Sequence, residues 1–367
     1  ADASAPVYAP PGWLFFVRNG ALMAQSFDAD RLELKGEAIS FTPSTGTPIA
    51  PGVSFSISES GVLIWQGSRR QKHQLSWFDR EGNQRGVVGP TNEMTIGYYP
   101  RFSPDGRRVA FNRNDPQTRN LDVWVIDLAS NIPVRLSSDA GLDRFSIWSP
   151  DSSRVAFHSI RAGANGIYQR AANGTGTDEM LLKGGYNTFD WSADGRFIVC
   201  TSMGGGQKMR RNISVLPSFG DRQPYEIING EFDEHNPQLS PDGRWLAYAS
   251  DDSSSYEIYV QSFTTEGKVG GDKKRISTNG GNCPRWRRDG KELFYVAADG
   301  QMMAVKFNGA TFEPPQALFK TRLMMGLTHW GIDYDVTPDG QRFLIGTLVG
   351  EPAPVSVILN WMAEMKK

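Results

Sequence analysis

Residues 240–248 read SPDGRWLAY, and the same unit returns along the chain as SPDGRRVAF at 103–111, SPDSSRVAF at 149–157, SADGRFIVC at 192–200, RRDGKELFY at 287–295 and TPDGQRFLI at 337–345. Two weaker copies, APPGWLFF at 9–16 and SESGVLIW at 58–65, align on the turn residue and the apolar run after it. The turn position then falls at Gly12, Gly61, Gly106, Ser152, Gly195, Gly243, Gly290 and Gly340. A spacing of about 47 residues is that of one propeller blade. Each copy parses as four strands. An innermost strand ends on a large apolar residue, in turn Tyr8, Ile57, Phe102, Trp148, Trp191, Leu239, Trp286 and Val336. A Pro-Asp-Gly turn reverses the chain, with Gly supplying positive φ and Asp accepting nearby backbone N–H groups. A β-branched or aromatic second strand follows, then a third such as DVWVID at 122–127 or EIYVQSF at 257–263, and a short fourth such as Val134-Arg135-Leu136. The repeated turn aspartates, Asp105, Asp151, Asp194, Asp242, Asp289 and Asp339, are read as scaffold, since every blade needs the same turn.

Working outward, the 367 residues carry Gly 39 and Pro 22, about one residue in six against the usual one in eight, and no window of about 12 residues keeps a helical apolar period. The expected fold is therefore all-β: an eight-bladed β-propeller of four-stranded antiparallel blades, forming one domain over 1–367. The repeats are placed at approximately 4–45, 52–90, 97–138, 143–184, 186–229, 234–278, 281–321 and 329–362. The eighth lacks an obvious fourth strand, so its sheet is short or is completed by the residues before Pro6. Seven blades, with the first and last copies merged, is the alternative.

Charge balance excludes one broad class of function. With 39 basic and 40 acidic residues, nucleic acid and anionic membranes find no net field to grip. No apolar run reaches the ~18 residues of a membrane span. The chain opens on Ala1 without a charged-then-apolar leader, which leaves a removed leader or a longer parent chain open. Cys200 and Cys283 are read as reduced core thiols.

The Ser-Pro-Asp-Gly turn with its aromatic strand resembles the TolB-like, WD40-like propeller repeat. Four longer runs, YAPPGWLFFVRNGALMAQSFD at 8–28, LSPDGRWLAYASDD at 239–252, PRWRRDGKELFYVAADGQMMAV at 284–305 and LNWMAEMKK at 359–367, resemble the C-terminal propeller region of bacterial, especially acidobacterial, eukaryotic-like serine/threonine protein kinases. That resemblance implies a kinase domain, a membrane helix and then this propeller outside the cytoplasm, periplasmic or at the cell surface and tethered to the inner membrane by a segment this chain does not contain. The chain itself holds no Gly-rich nucleotide loop, His-Arg-Asp loop or Asp-Phe-Gly motif, so kinase activity is not carried over.

No catalytic residue, metal site or cofactor is expected. There is no Gly-x-Ser-x-Gly run, and His73, His158, His235 and His329 fall in four different repeats. A binding site is expected where innermost strands border the channel. Five positions before the turn stand Ser4, Val53, Tyr98, Arg144, Asn187, His235, Asn282 and Ile332; Asp143, Tyr186, Asp233, Glu234, His329 and Trp330 lie close by in sequence. The expected ligand-binding mouth is Tyr98, Asp143, Arg144, Tyr186, Asn187, His235, Asn282, His329 and Trp330, with a solvated, unoccupied mouth as the plainer account. Two positions before the turn, Arg101, Asp190, Arg285 and Asp335 are expected to form a polar girdle or to pair ionically between blades. The implied function is a non-catalytic sensor or interaction propeller taking a protein, peptide or glycan, without nucleic acid. A metal-assisted polysaccharide lyase or hydrolase built on His235 and His329, and a TolB-like assembly scaffold, are the alternatives.

Overall fold

The computed structural model describes residues 6–18, 21–41, 54–66, 72–93, 98–203, 210–321, 323, 333–350 and 355–364. Within them the chain is all-β apart from one helical turn, Trp361–Glu364. Its strands form eight antiparallel sheets, seven of four strands and one of three, matching the eight repeats in number. Every SPDG-type turn is built as its residues dictate. In the 103–108 copy the Ser103 hydroxyl donates to Asp105 Oδ1 (2.5 Å) and accepts the Arg108 N–H (3.0 Å), while Gly106 donates its N–H to Ser103 O at φ +71°. Ser149, Ser192, Ser240 and Thr337 repeat the hydroxyl-to-aspartate bond, so the repeated aspartates are turn-stabilising in each case.

The strands are not shared out repeat by repeat, and two expected boundaries change. Residues 52–90 and 329–362, each read as one blade, exchange strands. Tyr334–Val336 and Arg342–Val349 pair with Lys72–Asp79 and Gln84–Glu93 to make one four-stranded sheet. Val355–Leu359 pairs instead with Val62–Gln66, which pairs with Ser54–Ile57. The physical reason is edge satisfaction: joining the two ends of the run 72–349 in one sheet leaves neither end with an unpaired inner edge.

By compactness the chain divides into residues 72–349 and residues 1–71 with 350–367. In the first unit, blades at 101–135, 142–183, 186–228, 234–275 and 282–320 join the end-to-end sheet just described. Each blade packs on the next through a shared apolar layer: Val109 and Phe111 lie in one with Leu75 and Leu344, Val123 in one with Phe157, Ile167 in one with Ile198, Val215 in one with Tyr248, Ile258 in one with Leu293, and Phe294 in one with Tyr334 and Phe343. The last of these layers returns to the end-to-end sheet, so the six blades close on themselves. The other unit holds a four-stranded sheet, Val7–Ala9, Trp13–Arg18, Ala21–Asp28 and Glu33–Ser40, and the three-stranded sheet. Phe15, Leu22, Leu63 and Trp361 form its core, with the Phe15 and Trp361 rings edge-to-face at 5.0 Å.

Candidate functional site: the axial funnel

The innermost strands of the six-blade unit have two ends, and the structure treats them differently. At their N-terminal ends stands the set expected to form the mouth. Most of it is drawn inside: Tyr98, Asp143, Asn187, His235 and Asn282 are buried, and Arg144 and Tyr186 are half-buried. His329 and Trp330 lie outside the described residues. Tyr98 donates its hydroxyl to His73 O (2.7 Å) and its N–H to Asp333 Oδ1 (2.7 Å). The Arg144 guanidinium sits over the Phe145 ring at 4.9 Å, and burial lowers its pKa. Burial raises the Asp143 pKa against the nearby hydroxyls of Ser159 and Ser137 and the charge of Arg161. Burial likewise raises the Tyr186 pKa.

His235 is held in a network rather than presented to solvent. Its Nε2 lies 3.1 Å from Asn282 Oδ1, its Nδ1 3.3 Å from Arg211 Nη2, and its ring is edge-on to Tyr256 at 4.7 Å. Arg211 and the Tyr256 hydroxyl both donate to Asp233 (2.5 and 2.7 Å). His73 and His158 sit elsewhere, each buried and pushed down to about 4 by loss of solvation. Among the described residues no three His, Cys, Asp or Glu side chains are grouped to hold a metal ion.

The cause of this burial is a kink one residue further on. Tyr99, Phe145, Asn236 and Cys283 have φ of 46°, 56°, 52° and 60°, and at the last three the ladder to the second strand skips register. Tyr99 stacks on Phe145 at 5.0 Å and Phe145 meets Phe189 at 5.8 Å, so three successive innermost strands close over one another with buried aromatic rings. At each of these bulges the inner strand advances three residues while its partner advances two, a mismatch that shows only once the two strands are paired.

The opposite ends, where the strands enter their turns, open into a funnel of about 440 Å³ that every blade lines. Its lining includes the strand-ending residues Phe102, Trp148, Trp191, Leu239, Trp286 and Val336, together with Ser103 and Ser240. Pro104, Pro150, Pro241, Pro338 and Arg288 also line it, as do Arg101, Asp190, Gln238 and Asp335. A shallower depression of about 570 Å³ adjoins it between the 142–183 and 186–228 blades, sharing Pro150, Trp191 and Ala193. The apolar strand ends were visible in the sequence; that they face a cavity was not.

The girdle residues mostly latch blades together. Asp190 Oδ2 accepts the Leu239 N–H (2.8 Å), Gln238 Oε1 the Trp286 N–H (2.9 Å) and Asp335 Oδ2 the Phe102 N–H (2.8 Å). In each, the side chain two before the turn grips the backbone one before the turn in the next blade. Arg285 pairs with Asp335 at 3.3 Å, the ionic contact between blades that the spacing suggested, and Arg101 donates to Phe189 O two blades away. Burial and the neighbouring Arg101 charge push Arg285 down to about 10, against Asp335. Burial raises the Asp190 pKa, opposed by Arg101, by the two backbone donors and by Arg285.

The family model described as the TolB beta propeller domain, PD40, matches residues 47–222. Among curated proteins, the chain is 24% identical over 207 residues to the uncharacterized peptidase YuxL of Bacillus subtilis, covering 44% of this chain and 31% of that one. It is 30% identical over 91 residues to the Tol-Pal system protein TolB of Alcanivorax borkumensis, covering 25% and 20%. The match thus spans a third or less of each relative. Among solved structures, a TolB from Agrobacterium tumefaciens superposes with a TM-score of 0.60 at 19% identity, covering 77% of this chain and 99% of that one. TolB from Acinetobacter baumannii gives 0.51 at 14%, covering 95% and 79%. No described helix is long and apolar enough to cross a membrane. What these likenesses establish together is the fold, a TolB-like β-propeller.

Proposed function

We propose that residues 72–349 bind an extended segment of a protein in the axial funnel, and that the chain is the extracytoplasmic sensor or interaction portion of a receptor-type bacterial serine/threonine kinase. The carrying observation is a funnel lined by all six blades, where strand-ending apolar residues stand beside Ser103, Ser240 and Arg288, while the side-chain oxygens of Asp190, Gln238 and Asp335 already accept backbone N–H groups. A glycan needs many free donors and acceptors, whereas an apolar or aromatic side chain laid against the half-buried Trp191 and the prolines of the funnel gains from burial alone. The kinase context is supported by the four sequence runs at 8–28, 239–252, 284–305 and 359–367. Binding would regulate a linked domain only through unequal affinity for two arrangements of it.

Trp191, half-buried in the funnel, supplies the readout. A panel of synthetic peptides and cell-wall oligosaccharides is titrated against the intact chain by tryptophan fluorescence. The tightest ligand is expected to be a peptide, and Trp191→Ala and Arg288→Glu each to weaken it at least about tenfold, a loss of ~1.4 kcal/mol. A glycan as tightest ligand, or a peptide indifferent to both substitutions, rejects the funnel.

A further inference from the structure

Seven of the eight sheets end on an outer strand that carries charge or proline. These are Glu33, Lys35 and Glu37; Arg85 and Pro90; Pro133 and Arg135; Glu179 and Lys183; Glu226; Asp272 to Arg275; and Lys320. Such residues keep an exposed edge from recruiting another strand. Among the described residues the eighth sheet has three strands, and its outer strand is Val355–Leu359, reading VSVIL, with neither charge nor proline. Among the described residues nothing pairs with its outer edge. Val355, Val357 and Leu359 are 57%, 56% and 74% exposed beside the exposed Ile64, whereas Ile358 turns to the core.

We propose that this edge is a self-association site, through which two copies of the chain pair Val355–Leu359 antiparallel about a two-fold axis at Val357. Two three-stranded sheets become one of six strands. The second copy is the occupant because the strand is complementary to itself. Centred on Val357, Val355 faces Leu359 and Ser356 faces Ile358, so the exposed apolar side chains at 355, 357 and 359 meet one another and the exposed Ser356 meets Ile358 on the other face. No charge opposes the approach, and two-fold closure leaves no further edge to propagate. A five-residue edge buries little, so association is expected on the order of micromolar.

Sedimentation velocity on the full chain from low to high micromolar concentration is expected to show a reversible monomer–dimer equilibrium. Val357→Lys, at an exposed position, is expected to leave only monomer with an unchanged circular dichroism spectrum. Directly opposed residues in an antiparallel pair have Cα atoms about 4.5–5.5 Å apart, within disulfide range. Val357→Cys is therefore expected to oxidise to a covalent dimer while Ser356→Cys, facing Ile358, does not; native Cys200 and Cys283 are buried and give no background. A chain monomeric throughout, a dimer that survives Val357→Lys, or a dimer that Val357→Cys does not cross-link overturns the proposal.

Discussion

Adjacent residues 233 and 234 illustrate how far environment outranks residue type. Burial pushes Glu234 up to about 7, opposed by Lys273 and by a 3.4 Å contact from Ser250, and its Oε2 has no hydrogen-bond partner among the described residues. Asp233 pays the same kind of burial, but Arg211 and Tyr256 donate to it and hold it at about 2. The consequences for stability run in opposite directions. Glu234 keeps its proton in the folded state up to about pH 7 while the unfolded chain releases it near 4.5, so its contribution declines as pH rises between those values. Asp233 contributes fully above the ordinary carboxylate range and loses that contribution as pH falls toward 2. Glu234→Gln is expected to be nearly neutral at pH 5 and stabilising at pH 8, by up to about 3 kcal/mol, read from urea unfolding at both pH values. A gap that does not widen with pH refutes this. In sequence, Asp233 and Glu234 look like two carboxylates equally able to favour a charged His235. Arg211, 22 residues away in the chain, decides that one of them is taken, and only folding brings it there.

The element that organises this molecule is the turn and the two residues before it. The turn itself is legible in the sequence, because Ser, Asp and Gly act within six residues and need no distant partner. The strand end before it is equally legible as apolar. What the latch residues do is not, since Asp190, Gln238 and Asp335 bond to backbone some 48 residues away or across the chain's ends. Gln238→Leu would leave the buried Trp286 N–H without its acceptor and is expected to cost about 1–3 kcal/mol, with Gln238→Glu costing less because an acceptor remains. Thermal unfolding of the two variants checks the order. Equal losses would mean the side chain matters for volume alone. At the N-terminal ends of the same strands the sequence places polar residues that suggest a wet mouth, whereas in the structure Tyr98, Asp143, Asn187, His235 and Asn282 are buried beside the bulges at Phe145, Asn236 and Cys283.

At the scale of the molecule, the six apolar layers of 72–349 are all made within that span. A fragment of residues 72–349 is therefore expected to fold alone and melt in one cooperative transition by circular dichroism. Removing 334–349 as well strips Lys72–Asp79 of its inner partner along its whole length and is expected to abolish that transition. A fragment that melts equally well without those residues would show that closure contributes nothing. By itself the amino-acid order determined the strand content, the eight repeats and the chemistry of each turn, because these depend on alternation and on contacts among near neighbours. Only the tertiary structure decided which strands share a sheet at the two ends of the chain, which end of the inner strands opens, and which polar groups are spent on holding blades together. Those outcomes depend on closing a ring and satisfying every buried edge and donor at once, a condition no single segment carries.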